Sequence, residues 1–248
     1  MTAGRGFTGN IAAATERLEG LTRRHGLPPG AATTLRTLLE LVAQEPIALT
    51  SVRDPLVAVD VHVADSLVAL DLDVVRGARA IADLGAGAGF PGFALAVALP
   101  LASVSLVESV QKKCAFLRRA AQHAALSNVD VVCARVEQWS DGQGKADLVT
   151  ARALAPLPAV LEYAAPLLRV GGAVVAWKGR RDRLEERDGE AAADLLGLSE
   201  PRALRVEPFA GAGERFLYLS SKLSATPSRY PRRPGMARKR PLGPSTTG

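Results

Sequence analysis

The chain has 248 residues, of which 48% are hydrophobic, enough to bury the core of one α/β domain with a smaller appended piece. Its net charge of +6 is placed unevenly: Lys222 to Gly248 holds seven basic residues and no acid, leaving 24 basic against 25 acidic residues in the body. The uncharged stretch Phe93 to Val107 is broken by Pro100 and is shorter than the roughly 20 residues a bilayer span needs, which excludes a membrane-crossing helix there.

Taken in order, residues 1–9 are rich in Gly and Thr and are expected to be frayed. They show no apolar run after the first charges, so no secretory leader is expected. The spacing of Ile11, Leu18 and Leu21 predicts a helix from Asn10 to about Gly26. Leu35, Leu38, Leu39 and Val42 predict a second helix, closed before Pro46. A polar connector, Leu49 to Pro55, leads into a third helical pattern that runs to about Leu72. From Ala80 strands alternate with helices, the pattern of a mostly parallel sheet covered on both faces. Strands are predicted at Ser103 to Glu108, Val129 to Cys133, Asp147 to Ala151, Ala173 to Lys178, Leu204 to Glu207 and Phe216 to Ser221. The intervening helices are predicted over Val110 to Ala125, Pro156 to Arg169 and Arg181 to Leu196. The organisation read from this is an N-terminal helical subdomain over 1–78, a Rossmann-like domain over 79–222 and a basic Pro/Arg-rich tail over 223–248. The tail lacks a core pattern and is expected to be ordered only by contact. A basic end on a neutral body suits a polyanion such as nucleic acid, the plainer alternative being a solubilising tail. Cys114 and Cys133 fall in the apolar-patterned region without metal-ligand spacing, and are read as core thiols; no metal site is expected.

The stretch Ile81 to Gly92, IADLGAGAGFPG, reads as a short strand, a glycine loop and the start of a helix. Gly85, Gly87 and Gly89 allow backbone amides to close on a ligand at a helix N-terminus. Because Gly87 to Gly92 also satisfies G-x-G-x-x-G, the loop alone suits either a nicotinamide cofactor or S-adenosylmethionine. Glu108, nineteen residues after Gly89, stands where a carboxylate accepts the ribose hydroxyls of either. Asp83 decides between them: negative charge beside a pyrophosphate repels, whereas beside a sulfonium or an amino group it attracts. Asp83 as a cap for the loop amides is the alternative. The third strand leads to Arg135, Val136 and Glu137, whose Val136 backbone and Glu137 carboxylate suit an adenine edge. The fourth leads to Ala151-Arg152-Ala153 and the fifth to Trp177-Lys178, which sets cationic groups at three strand ends.

With those residues in view, the chain resembles the bacterial small-subunit ribosomal RNA guanine-N7 methyltransferases, also called glucose-inhibited division protein B. The matching blocks are Leu49-Thr50-Ser51, His62 with Asp65-Ser66, and Asp83 to Gly92. They continue with Glu108-Ser109, Lys112-Lys113, Phe116-Leu117, Arg135-Val136-Glu137, Ala151-Arg152-Ala153, Lys178-Gly179 and Tyr230-Pro231-Arg232-Arg233 followed by Gly235. The resemblance implies a class I methyltransferase fold, a seven-stranded, mostly parallel sheet with a reversed last strand, and S-adenosylmethionine as donor. It implies methyl transfer to N7 of a guanine in small-subunit ribosomal RNA; the substrate is expected to be the RNA or an assembling subunit, and the chain a cytoplasmic monomer. By position it sets Gly85 and Phe90 against the donor and Val136 and Glu137 against its adenine. Arg152 falls at the donor–substrate junction, and His62, Lys112, Arg135 and Lys178 at positions that handle RNA or the target base. Ala48 and Val61 stand where the family usually has Asn and Arg. Two rival readings from other classes are a nicotinamide oxidoreductase and a non-catalytic RNA-binding or assembly protein.

Overall fold

A computed structural model describes residues 10–47 and 49–244; the segment 1–9, Ala48 and residues 245–248 lie outside the described residues. Helix α1 (Ile11–His25) begins where the Asn10 side chain accepts from the Ala13 N–H at 2.9 Å and ends at Gly26, whose φ of +64° suits glycine. Helix α2 (Ala31–Gln44) packs beside it through Leu35, Leu38 and Leu39, matching the predicted apolar faces. The third helical pattern is less regular than expected. It opens as α3 (Pro55–Ala58), capped by Asp54, and widens into a π-helical turn over Val59–Ala64. It then passes through α4 (Asp65–Leu67) and tightens into a 3-10 turn over Val68–Asp71. The short α5 (Asp73–Arg76) follows. Because π turns add a residue to the helical path, they re-aim side chains, and this one carries His62 and delivers Asp65.

Strand β1 (Ala80–Leu84) leads through the glycine loop to α6 (Gly92–Ala98), and β2 (Ser103–Glu108) follows. Next come α7 (Gln111–His123), β3 (Val129–Cys133), β4 (Ala146–Arg152) and α8 (Leu157–Ala164). The chain continues with β5 (Leu168–Lys178), α9 (Arg183–Leu196), β6 (Arg202–Arg205), β7 (Phe216–Ser221) and α10 (Met236–Lys239). The sheet has seven strands in the order β3-β2-β1-β4-β5-β7-β6. All pairs are parallel except those of β7, which runs antiparallel to both neighbours.

Alternation along the strands splits the core in two. Ile81, Leu106, Leu148 and Val175 face the cluster shared with α1, α2, α6 and α7. Ala82, Val107, Val149 and Val174 face the cluster under α8 and α9. The helices over 10–78 therefore share their apolar contacts with one face of the sheet. Helix α8 is shorter than predicted because Pro166 lacks an N–H, and the residues after it join β5 instead. Gly172 sits at the resulting irregularity: a Cβ there would meet the Asp147 carbonyl oxygen at 2.9 Å, and the β4–β5 register jumps between Ala146 and Leu148.

Two expectations are corrected. Cys114 and Cys133 form a disulfide, with Cα atoms 5.7 Å apart, and are not free core thiols. The first turn of α7 lies over the exposed end of β3, which brings the two side chains within bonding range. The C-terminal residues do contribute to the core, since Tyr230, Ala237 and Leu242 are buried in the cluster under α8.

Candidate functional site

The carboxyl ends of β1, β2, β3 and β4 surround a cavity of about 290 Å³. Gly85, Glu108, Val136, Glu137, Ala153 and Leu154 line it, with Arg135 and Lys113 at the same wall. Glu108 is buried, yet it is held by three backbone donors: Oε2 accepts from Gly87 N–H at 3.1 Å, and Oε1 from Ser109 and Val110 N–H at 2.8 and 2.9 Å. One carboxylate thus joins the glycine loop to the end of β2. Glu137 accepts from the Gly235 N–H at 2.7 Å through Oε1. The loop is shaped by Gly85, Gly87 and Gly89, at φ of +68°, +57° and +94°. A Cβ on Gly85 would meet Leu154 Cδ1 at 2.6 Å, so the loop and the segment after β4 are in close contact.

Asp83 lies beneath the loop. Its Oδ1 accepts from the Thr150 hydroxyl at 2.8 Å across the β1–β4 pair, and its Oδ2 from the Gly92 N–H at 3.0 Å. These are the contacts of a cap that ties β1 to the start of α6, the alternative considered for this residue. Burial pushes its carboxyl up to about 6, against the two hydrogen bonds that hold it down.

On the helical side of the loop stands a second group. The His62 ring stacks on Phe90, with centroids 5.5 Å apart, and its Nε2 lies 3.2 Å from the Thr50 hydroxyl. Burial, with Arg152 adding to it, lowers the His62 pKa to about 4, so the ring is neutral at physiological pH. Arg152 donates through Nη1 to the Val61 carbonyl oxygen at 2.8 Å and to Asp65 Oδ2 at 2.9 Å. Trp177, paired with Arg152 in the sheet, donates its indole N–H to the Asp65 carbonyl oxygen at 2.7 Å. Among the described residues, the buried side-chain atoms without a hydrogen-bond partner are His62 Nδ1 and Asp65 Oδ1. Arg215 Nε stands 3.5 Å from that Oδ1, close enough for charge attraction but without hydrogen-bond geometry.

Arg152, Ala153 and Leu154 connect the two groups. Arg152 belongs to the helical side, while the next two residues line the cavity. Ala153 holds φ of +53°, a conformation that is uncommon for a side-chain-bearing residue and recurs at functional sites.

The structure therefore gathers Gly85, Glu108, Arg135, Val136 and Glu137 around the cavity, and His62, Phe90 and Arg152 beside it. Lys112 is exposed on the first turn of α7, and it is Lys113 that reaches the cavity wall. Lys178 is drawn into a separate network, donating to the Ala155 carbonyl oxygen at 2.9 Å and pairing with Glu185 at 2.5 Å. Sequence reasoning missed Arg215, which stands in no motif. It also missed Glu162, whose charge within the apolar pattern of α8 was the available signal.

Sheet order and cavity together define the class. An all-parallel dinucleotide fold runs 3-2-1-4-5-6, whereas here a reversed β7 is inserted beside β5. The residues present suit S-adenosylmethionine: the glycine loop borders a cavity holding two fixed carboxylates, the chemistry that accepts sugar hydroxyls and amino groups. This is a class I S-adenosylmethionine-dependent methyltransferase.

Comparison with known proteins narrows it further. Residues 32–207 match the family of the rRNA small subunit methyltransferase G. The Ribosomal RNA small subunit methyltransferase G of Rubrobacter xylanophilus is 44% identical over 196 residues, covering 77% of this chain and 75% of that protein. The protein of the same name from Desulfitobacterium hafniense is 39% identical over 201 residues, covering 80% and 83%. Among solved structures, that of a predicted O-methyltransferase from Agrobacterium tumefaciens is 25% identical, covers 65% of this chain and 80% of that one, and superposes with a TM-score of 0.51. The chain belongs to the rRNA small subunit methyltransferase G family.

Proposed function

We propose that the protein transfers a methyl group from S-adenosylmethionine to N7 of a guanine in small-subunit ribosomal RNA. The observation that carries this reading is the junction at Arg152. The residue that bears the guanidinium fixed against Asp65 and Val61 directly precedes the Ala153 that lines the cavity. When bound, the donor supplies an electrophilic methyl on its sulfonium. Guanine N7 carries an unprotonated lone pair, so the chain need supply no general base. That agrees with a His62 held neutral by burial and stacked on Phe90. The work left to the protein is alignment and exclusion of water.

In this reading Glu108 holds the ribose, while Val136 and Glu137 hold the adenine. Gly85, Gly87 and Gly89 let the loop amides approach, and Phe90 packs against the reacting end. Asp83 acts from beneath, by fixing the loop to α6. Arg152 and His62 position the target base. Arg135 and Lys112 meet RNA backbone, and Lys178 supports the strand end through Glu185. The enzyme acts as a cytoplasmic monomer, on naked RNA or an assembling subunit.

Mass spectrometry of small-subunit RNA nucleosides from cells with and without the gene tests the proposal. Loss of one N7-methylguanosine, restored by purified protein and donor in vitro, is the expected result. An unchanged nucleoside profile overturns it.

A further inference from the structure

The basic tail invites assignment to RNA, but its folding directs part of it elsewhere. We infer that the segment around Tyr230 to Arg240 is a wall of the donor site, and that the buried Glu162–Arg232 ion pair is the positioning device that holds it there. This rests on the reading of the cavity as the donor site.

Three observations carry it. Gly235 and Arg238 line the same cavity as Gly85 and Glu108. The Gly235 N–H is the donor that fixes Glu137, so the acid proposed for the adenine is set from the tail side. The segment is also locked down by residues outside the cavity lining. Arg232 grips Glu162 on α8 with Nε to Oε1 at 2.9 Å and Nη2 to Oε2 at 2.5 Å, and adds its backbone N–H to Oε1 at 3.0 Å.

Glu162 is fully buried, in a helix whose every residue is buried. A two-pronged arginine–carboxylate pair in such surroundings fixes geometry, and a carboxylate deprived of its partner there is strongly disfavoured. Arg232 Nη2 also donates to the Arg240 carbonyl oxygen at 2.9 Å, which closes the segment into a loop with Gly235 at its turn. Tyr230 and Leu242 are buried on either side of that loop. Removing the grip should therefore loosen Gly235 and Arg238, and with them the seat of Glu137.

The charge distribution agrees. Lys222 is buried, its Nζ donating to the Leu196 carbonyl oxygen at 2.7 Å, and Arg232 is spent on Glu162. With Arg238 at the cavity, the RNA-binding role expected of the tail falls to the remaining basic residues.

The experiment uses the full chain, with calorimetric titration of S-adenosylhomocysteine and filter binding of small-subunit RNA over a range of salt. Arg232→Ala is expected to raise Kd for S-adenosylhomocysteine about tenfold, with the turnover rate at saturating donor within about threefold of the parent. RNA affinity and its salt slope should stay as they are. Arg232→Lys, which keeps the charge but not the fork, is expected to recover part of the loss. If Arg232→Ala fails to fold, Arg238→Ala, which breaks no buried pair, serves in its place and should raise the same Kd. Unchanged donor affinity in the variants, with weaker RNA binding and a shallower salt slope, overturns the inference and returns the whole tail to RNA. A parent protein that takes up no S-adenosylhomocysteine overturns the donor reading itself, and the inference with it.

Discussion

On the cavity side of the glycine loop, Glu108 accepts from three backbone N–H groups and Glu137 from a fourth, so both carboxylates are held by the fold itself. On the helical side, His62 and Asp65 are just as deeply buried, yet each keeps one polar atom without a hydrogen bond. An unmatched buried polar atom costs about 1–3 kcal/mol, so a chain that satisfies one pocket and not its neighbour has a reason for the difference. The cavity carboxylates are preorganised by backbone N–H donors, those to Glu108 from the glycine loop and the turn after β2, and that to Glu137 from Gly235. The neighbouring group keeps two buried polar atoms unmatched beside the Arg152–Asp65 pair.

Substituting Arg152 tests the contrast most strongly. Arg152→Ala is expected to lower the single-turnover methylation rate about 1000-fold, while S-adenosylhomocysteine affinity stays within about threefold. An equal loss in both would mean that the two pockets are one unit.

The next effect is on pH dependence. His62 titrates at about 4 in the folded protein against 6.5 when unfolded. The stability of its neutral ring is therefore fully present above pH 6.5 and is lost as pH falls toward 4, by about 3 kcal/mol. His62→Gln should flatten that acid limb in urea titrations run across the window. Asp83 acts in the opposite sense: its carboxyl is raised from 3.8 to about 6, so its contribution is present below pH 3.8 and is lost as pH rises through 6. Asp83→Asn should accordingly steepen the acid loss. An unaltered profile in both variants would deny that these groups are held in their present ionisation states by burial.

A smaller loss is expected from Glu108→Ala, which removes an acceptor from three N–H groups and should weaken S-adenosylhomocysteine binding about 30-fold in calorimetry. Retention of full affinity would show that the loop, and not the acid, holds the ribose. The smallest effect concerns Gly92, where a Cβ would meet Leu106 Cδ2 at 2.2 Å and Asp83 Oδ2 at 2.8 Å. Gly92→Ala should cost about 2 kcal/mol in urea denaturation, the usual scale of overpacking.

The cavity side was also the more legible in the sequence. Its residues stand at the carboxyl ends of successive parallel strands, so the strand pattern brought Gly85, Glu108, Val136 and Glu137 to one place, although the tie from Gly235 to Glu137 was not foreseen. The sheet was readable too, because alternating apolar runs mark strands and reversed β7 followed from the family resemblance. The helical side depends on contacts between distant segments. Thr50 and His62 were found only through motif blocks, Arg152 first as a strand-end cation, and nothing in the spacing foretold the π turn or the approach of Arg215. Lys112 and Lys113 show the limit of a block match: adjacent helical residues point about 100° apart, and the motif does not say which reaches the cavity. The disulfide was misread because apolar neighbours placed both cysteines in the core, whereas Cys133 ends its strand at the surface.

The reversed strand has a consequence for how the molecule is made. β7 leaves the ribosome after β6, yet it lies between β5 and β6 in the finished sheet. Until residue 221 has emerged, β6 has no neighbour to bond, and the apolar edge of β5 stays open. A nascent chain stalled in that interval offers a bare strand to other chains, the kind of edge that seeds aggregation. Synthesis through the last strand should therefore mark the step at which the growing protein passes from needing chaperone cover to standing alone.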